Sequence, residues 1–181
     1  MVRQQTNRSK FSALALVQDH YDTLRNYQTG RPSPADYVVY LGTPALAAVA
    51  SWSLDGRARN IPDVLTAVAV LTGLIFSVFV LIFDLTARAA DTLEAESREL
   101  INRLADELRA NVSYAVLVGI ALTVVLGDIA LFMDTDKPLG RIPTVLIVFG
   151  SVHLLLTIFM VLKRVRAMFR GFRLRQPERV P

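Results

Sequence analysis

The chain has 181 residues, 52% of them hydrophobic, with a mean hydropathy of +0.39 and a net charge of +4. It is too apolar for an ordinary soluble domain, and its charges are clustered rather than dispersed, which indicates an integral membrane protein. With no cysteine, a disulfide framework, a thiolate metal site and a cysteine nucleophile are all excluded.

Residues 1–32 lack the apolar core of a signal peptide. Within them, residues 10–28 are amphipathic, with Phe11, Leu14, Val17, Tyr21 and Leu24 on one face and Gln18, Asp19, Asp22 and Arg25 largely elsewhere. This predicts a helix lying on the inner membrane surface or against the rest of the protein. Gly30-Arg-Pro-Ser-Pro then breaks the chain, and Ser33-Pro34-Ala35-Asp36 supplies an N-cap, a proline at N1 and an acid at N3. A first span over 37–54 follows, interrupted by Pro44, where a kink is expected. Tyr37 and Tyr40 suit the inner interface and Trp52 the outer one.

Asn60-Ile-Pro-Asp63 restarts the chain, and the uncharged run 64–83 (VLTAVAVLTGLIFSVFVLIF) matches a hydrocarbon thickness of about 30 Å. It passes without glycine or proline into a charged segment, 84–111. There Asp84/Arg88, Glu94/Arg98 and Glu99/Arg103 are acid-to-arginine pairs at i and i+4. The expected element is one continuous helix from residue 61 to 111, half in lipid and half in the cytosol, shorter if it bends near the Ala89–Ala90 pair or Ser97. Its wet half carries Leu93, Leu100, Leu104 and Leu108 as an apolar stripe that needs another helix to cover it.

A third span over 112–133 contains Asp128, and a fourth over 142–162 contains His153. The tail 164–181 is basic. The fold class is therefore all-α: a polytopic membrane protein with four transmembrane helices, a long cytoplasmic extension of the second and an N-terminal amphipathic helix. Its segments are 1–32, a first hairpin 33–83, the charged helix 84–111, a second hairpin 112–163 and the basic tail 164–181. Ile-Pro-Asp-Val-Leu at 61–65 and Ile-Pro-Thr-Val-Leu at 142–146 suggest two tandem units in parallel order, or only the common use of proline near a helix start.

Sixteen of the twenty lysines and arginines lie before the first span, in the charged segment or after Leu162; only Arg57, Arg59, Lys137 and Arg141 lie in the two short loops. The positive-inside rule places both termini in the cytosol. The arginine-rich, alanine-rich usage suggests a bacterial inner membrane.

The candidate intramembrane polar site is Asp128 and His153 with Thr123 and Thr157. A carboxyl inside a span is costly, so it marks an ion or proton pathway, or more plainly a hydrogen-bonded strut or a side chain reaching the interface. His153 titrates near neutrality, although a neutral histidine bonded to a neighbouring hydroxyl is the plainer role. An offset in depth of about 9 Å argues against a direct Asp128–His153 bond. Gly73, Ser77, Gly119 and Gly127 are read as sites of close helix packing. Lys163, Arg164, Arg166, Arg170 and Arg173 are read as ligands for anionic headgroups.

No HExxH, GxSxG or phosphate-binding loop occurs, and His20 is remote from His153 in this order of elements. The chain is accordingly read as no enzyme, with no cofactor or metal and no nucleic-acid partner.

At residues 71–84 (LTGLIFSVFVLIFD), followed at once by the charged helix, the chain resembles uncharacterised small four-span bacterial membrane proteins, some of them associated with antiviral defence loci. The resemblance implies a membrane sensor or effector that oligomerises and alters permeability. The functional expectation is a homo-oligomeric, channel-like or permeability-altering protein in contact with membrane lipids. The alternative is a non-conducting anchor or scaffold that recruits a cytosolic partner through the central helix.

Overall fold

In the computed structural model the described residues are 13–24, 34–90, 95–134 and 137–173. They form five helices: α1 (Ala13–Asp22), α2 (Pro34–Ser53), α3 (Ile61–Ala90), α4 (Ala95–Phe132) and α5 (Arg141–Arg173). Three of these contain stretches long and apolar enough to cross a membrane, Ile61–Asp84, Leu104–Phe132 and Arg141–Arg166. The protein is thus all-helical where described and membrane-embedded. The expected first span, α2, has the length but is diluted by Tyr37, Tyr40, Thr43, Pro44, Ser51 and Ser53 and falls short of these three stretches in apolarity.

The expected single rod from 61 to 111 is instead two helices. α3 closes at Ala90, α4 opens at Ala95, and α4 runs back along α3. Ile61 and Val68 share a cluster with Leu122, Leu126 and Ile129, whereas Ile75 further along packs with Leu108, Val112 and Ala115, which fixes the pair as antiparallel. The reason is visible at Leu108, which is only 1% exposed. It shares a cluster with Val161 of α5, against which Phe79 and Ile82 of α3 and Val165 of α5 pack, so at this position the chain supplies its own cover. Burying such a leucine is worth about 1.5–3 kcal/mol relative to water. Leu104 is half-buried, while Leu93 and the side chain of Leu100 lie outside the described residues.

α5 packs antiparallel on both α4 and α2, giving the lateral order α2, α5, α4, α3. At one end, called here the loop end, two connections meet. α2 stops in a Schellman-type turn: Asp55 takes a positive φ of 49°, the Gly56 amide donates to the Ser51 carbonyl at 2.8 Å and the Asp55 amide to that of Trp52. A Cβ on Gly56 would lie 3.0 Å from the Ser51 carbonyl oxygen, so this position requires glycine. The Asp55 carboxylate accepts from Arg141, which holds it below the usual carboxylate range. The Leu139 amide donates to the Ala58 carbonyl, and the Ala58 amide to the Thr144 hydroxyl. These bonds tie the start of α5 to the α2–α3 connection.

Large apolar side chains remain exposed on every helix of the bundle, among them Leu46 on α2, Leu74 on α3, Val124 on α4 and Phe159 on α5. Such a surface suits lipid rather than water.

Candidate functional site

The opposite end of the bundle is closed by α1. The positions at i, i+3, i+4 and i+7, Val17, His20, Tyr21 and Leu24, form its packed face. Leu14, expected on that face, is exposed, and Phe11 lies outside the described residues. α1 is seated by its own last carbonyls, which need donors from elsewhere. The Thr23 hydroxyl donates to the His20 carbonyl at 2.6 Å, the Tyr37 hydroxyl to that of Tyr21 at 3.1 Å, and Arg164 Nη2 to that of Thr23 at 2.8 Å. A cation at a helix C-terminus also complements the helix dipole.

Arg164 reaches Glu107 on α4 with Nη1, at 2.6 Å from Oε2. Its side chain is 14% exposed, so it is an internal clamp joining α1, α4 and α5 and not the headgroup ligand expected of it. Lys163 and Arg166 are exposed, as that role demands; the side chains of Arg170 and Arg173 lie outside the described residues.

Beneath α1 lies a cluster of rings. His20, at 0% exposure, stacks on Tyr114 with ring centroids 4.0 Å apart and planes 7° apart, and it meets Tyr40 at 5.2 Å. His153 contacts the same two tyrosines, at 4.5 Å from Tyr40 and 5.9 Å from Tyr114. The two histidines thus share one site, contrary to the separation read from their places in the chain. The Tyr114 hydroxyl and His153 Nε2 are hydrogen-bonded at 2.9 Å. The Thr157 hydroxyl donates to the His153 carbonyl at 2.8 Å and lies 2.6 Å from the Tyr40 hydroxyl.

Neither ring nitrogen of His20 has a hydrogen-bond partner among the described residues. Burial dominates its titration, lowering its pKa from 6.5 to about 4. The neighbouring Asn111 amide opposes that shift without completing a hydrogen bond, and charge on His153 and Arg164 adds to it. His20 is the site residue that sequence reasoning missed. Its signal was present in the 17, 20, 21, 24 spacing.

The remaining candidates do not join this cluster. Asp128 is exposed on α4, fourteen residues beyond Tyr114, or about 21 Å along the helix. It is therefore not brought to His153. Thr123 donates to the Gly119 carbonyl of its own helix. Of the four small residues, only Gly119 packs tightly. A Cβ there would clash with the Thr72 side chain, whereas nothing lies within 4 Å of one on Gly73 or Gly127, and Ser77 is exposed with its hydroxyl bonded to the Gly73 carbonyl.

A separate cavity of about 280 Å³ opens between α3 and α4, lined by Phe79, Ile82, Phe83, Asn102, Asp106 and Arg109 among others. Among the described residues no group of three or more histidine and carboxylate side chains is placed to hold a metal ion. No known protein family, curated protein or solved structure matches the chain.

Proposed function

We propose that the chain is a non-conducting anchor, in a bacterial inner membrane, that recruits a cytosolic protein through its α1 end. In this reading α2 is a fourth span and both termini are cytosolic. α2 lies antiparallel to α5 from the Asp55–Arg141 pair to the Tyr40–Thr157 bond, alongside a helix long enough to cross the bilayer. The distribution of sixteen basic residues against four favours the α1 end as the cytosolic one.

The observation that carries the reading is the apolar packing that runs the length of the bundle, alongside the cavity between α3 and α4. Apolar side chains occupy the interior from Ile61, Ile129 and Leu139 at the loop end to Leu108 and Val161, and the His20, Tyr40 and Tyr114 rings fill the α1 end. The deciding measurement is ion efflux from liposomes carrying the full-length protein. Efflux indistinguishable from protein-free liposomes is expected, and efflux well above that level overturns the reading.

That outcome would favour a homo-oligomeric, permeability-altering assembly with its path between copies. What supports this second reading is the α3 face bearing Gly73 and Ser77, one turn apart, exposed and free of contact at Gly73, where a second helix can approach closely. Leu108 no longer argues for it, because it is covered from within the chain.

A further inference from the structure

α1 is a short element with an unusual residue buried in its last turn. It has ten residues, and its most buried side chain is His20, not an apolar one. A histidine with no hydrogen-bond partner for either nitrogen among the described residues contributes as a flat neutral ring, here stacked on Tyr114. The neutral state is a condition of that packing, because an imidazolium has two N–H donors and needs acceptors or water.

The groups facing His20 offer little to an imidazolium. α5 presents His153 and the cationic Arg164. α4 presents Tyr114, the Asn111 amide and Glu107, whose carboxylate is held by Arg164. α2 presents Tyr40, with Tyr37 one shell out against Tyr21. On α1 itself Tyr21 is in ring contact, and Asp19 and Asp22 are exposed and hold interactions of their own. The Tyr114 face and the C-terminal end of α1 favour a cation, but burial, the largest influence on this ring, outweighs them.

We propose that α1 is a proton-released lid: when His20 takes up a proton, α1 leaves its seat on α2, α4 and α5 and uncovers Tyr40, Tyr114 and His153. The lid regulates the recruiting surface proposed above and rests on that reading. The docked pKa lies below the ordinary one, so docking expels a proton. The docked state is then fully favoured above pH 6.5 and loses ground as pH falls from there toward about 4. Docking weakens about tenfold per pH unit in that window, or about 300-fold across it.

The chain lacks cysteine, so spin labels can be placed cleanly at exposed Gln18 of α1 and exposed Lys163 of α5 through Gln18→Cys and Lys163→Cys. In full-length protein in nanodiscs, the label separation is expected to be short and narrow at pH 7.5 and to lengthen between pH 6.5 and 4. The chain has only two histidines, so nitrogen NMR of labelled imidazoles follows His20 in the same samples, and its protonation must accompany the lengthening. His20→Phe keeps a flat ring without the proton site and should stay docked at both extremes.

Docking that persists to pH 4, lengthening while His20 remains neutral, or acid release of His20→Phe equal to wild type overturns the lid. If His20→Phe fails to dock at all, the wild-type pair of titrations still decides. A wild-type α1 already undocked at pH 7.5 removes the recruiting surface itself, whereas one docked and indifferent to acid removes only the proton release.

Discussion

Thr157 has one hydroxyl proton and two buried neighbours to bond. Its 2.8 Å contact with the His153 carbonyl takes that proton, since a carbonyl only accepts, so the Tyr40 hydroxyl must be the donor at 2.6 Å. The two partners are therefore unequal. Tyr40→Phe removes a donor and leaves Thr157 still bonded to His153, which should cost about 1 kcal/mol; Thr157→Val strands a buried hydroxyl on Tyr40 and should cost about 1–3 kcal/mol. Thermal unfolding in detergent would rank them, and a larger loss for Tyr40→Phe contradicts the assignment of donor.

Gly119 and Gly73 make a second comparison. A side chain at Gly119 meets Thr72, itself tied to the Val68 carbonyl at 2.7 Å, whereas one at Gly73 meets nothing. Gly119→Val should destabilise by about 1–3 kcal/mol through forced separation of α3 and α4, and Gly73→Val should leave the monomer unchanged. Both glycines read alike in the sequence, because spacing shows that a small residue lies on a stripe and not which stripe faces a neighbour.

At the scale of elements, the seat of α1 depends on a residue that the sequence places in a lipid-binding tail. α5 continues as helix to Arg173, which turns Arg164 inward to Glu107 and the Thr23 carbonyl while Lys163 and Arg166 stay outside. Arg164→Ala removes the clamp and leaves Glu107 without this partner. The expected outcome is a rise in amide exchange over residues 13–24 by about tenfold to a hundredfold, corresponding to charge-assisted bonds worth about 1.5–3 kcal/mol. Lys163→Ala and Arg166→Ala should leave that exchange as in wild type.

The helices themselves were largely legible: apolar runs, the Pro34 start and the Asn60–Asp63 restart all correspond to described elements. What failed was the partner of the Leu104 and Leu108 stripe. A stripe states that cover is needed, and the lack of glycine or proline over residues 84–111 made continuation the simplest reading. The antiparallel return of α4 along α3 depends on tertiary contacts, Leu108 against Phe79 and Ile82, that no local signal encodes. His20 was hidden for a related reason, since its neighbours Tyr114 and His153 lie far along the chain.

For the whole molecule, the composition of α2 and its placement act in opposite directions on whether it crosses the membrane. Its apolarity falls below that of the spanning stretches of α3, α4 and α5, yet its 20 residues reach about 30 Å. Tyr40 stands level with Thr157, and Asp55 with Arg141, at points well apart along a helix that can itself span. A helix that shares the depth of a spanning neighbour and exposes Val38, Val39, Leu46 and Val49 outward is most stable in the same hydrocarbon layer. Pro44, which weakens α2 as a span, is fully buried, so the ring that interrupts the helix ladder faces the protein rather than lipid.

The absence of cysteine allows a direct test. Single cysteines introduced by Asp36→Cys, Arg57→Cys, Lys137→Cys and Arg166→Cys can be probed in intact cells with a membrane-impermeant maleimide. Four spans predict labelling at 57 and 137 without permeabilisation and at 36 and 166 only after it. If 36 labels together with 57, α2 does not cross, the two ends of the chain lie on opposite sides, and α1 could not be seated at the cytosolic end beside Arg164.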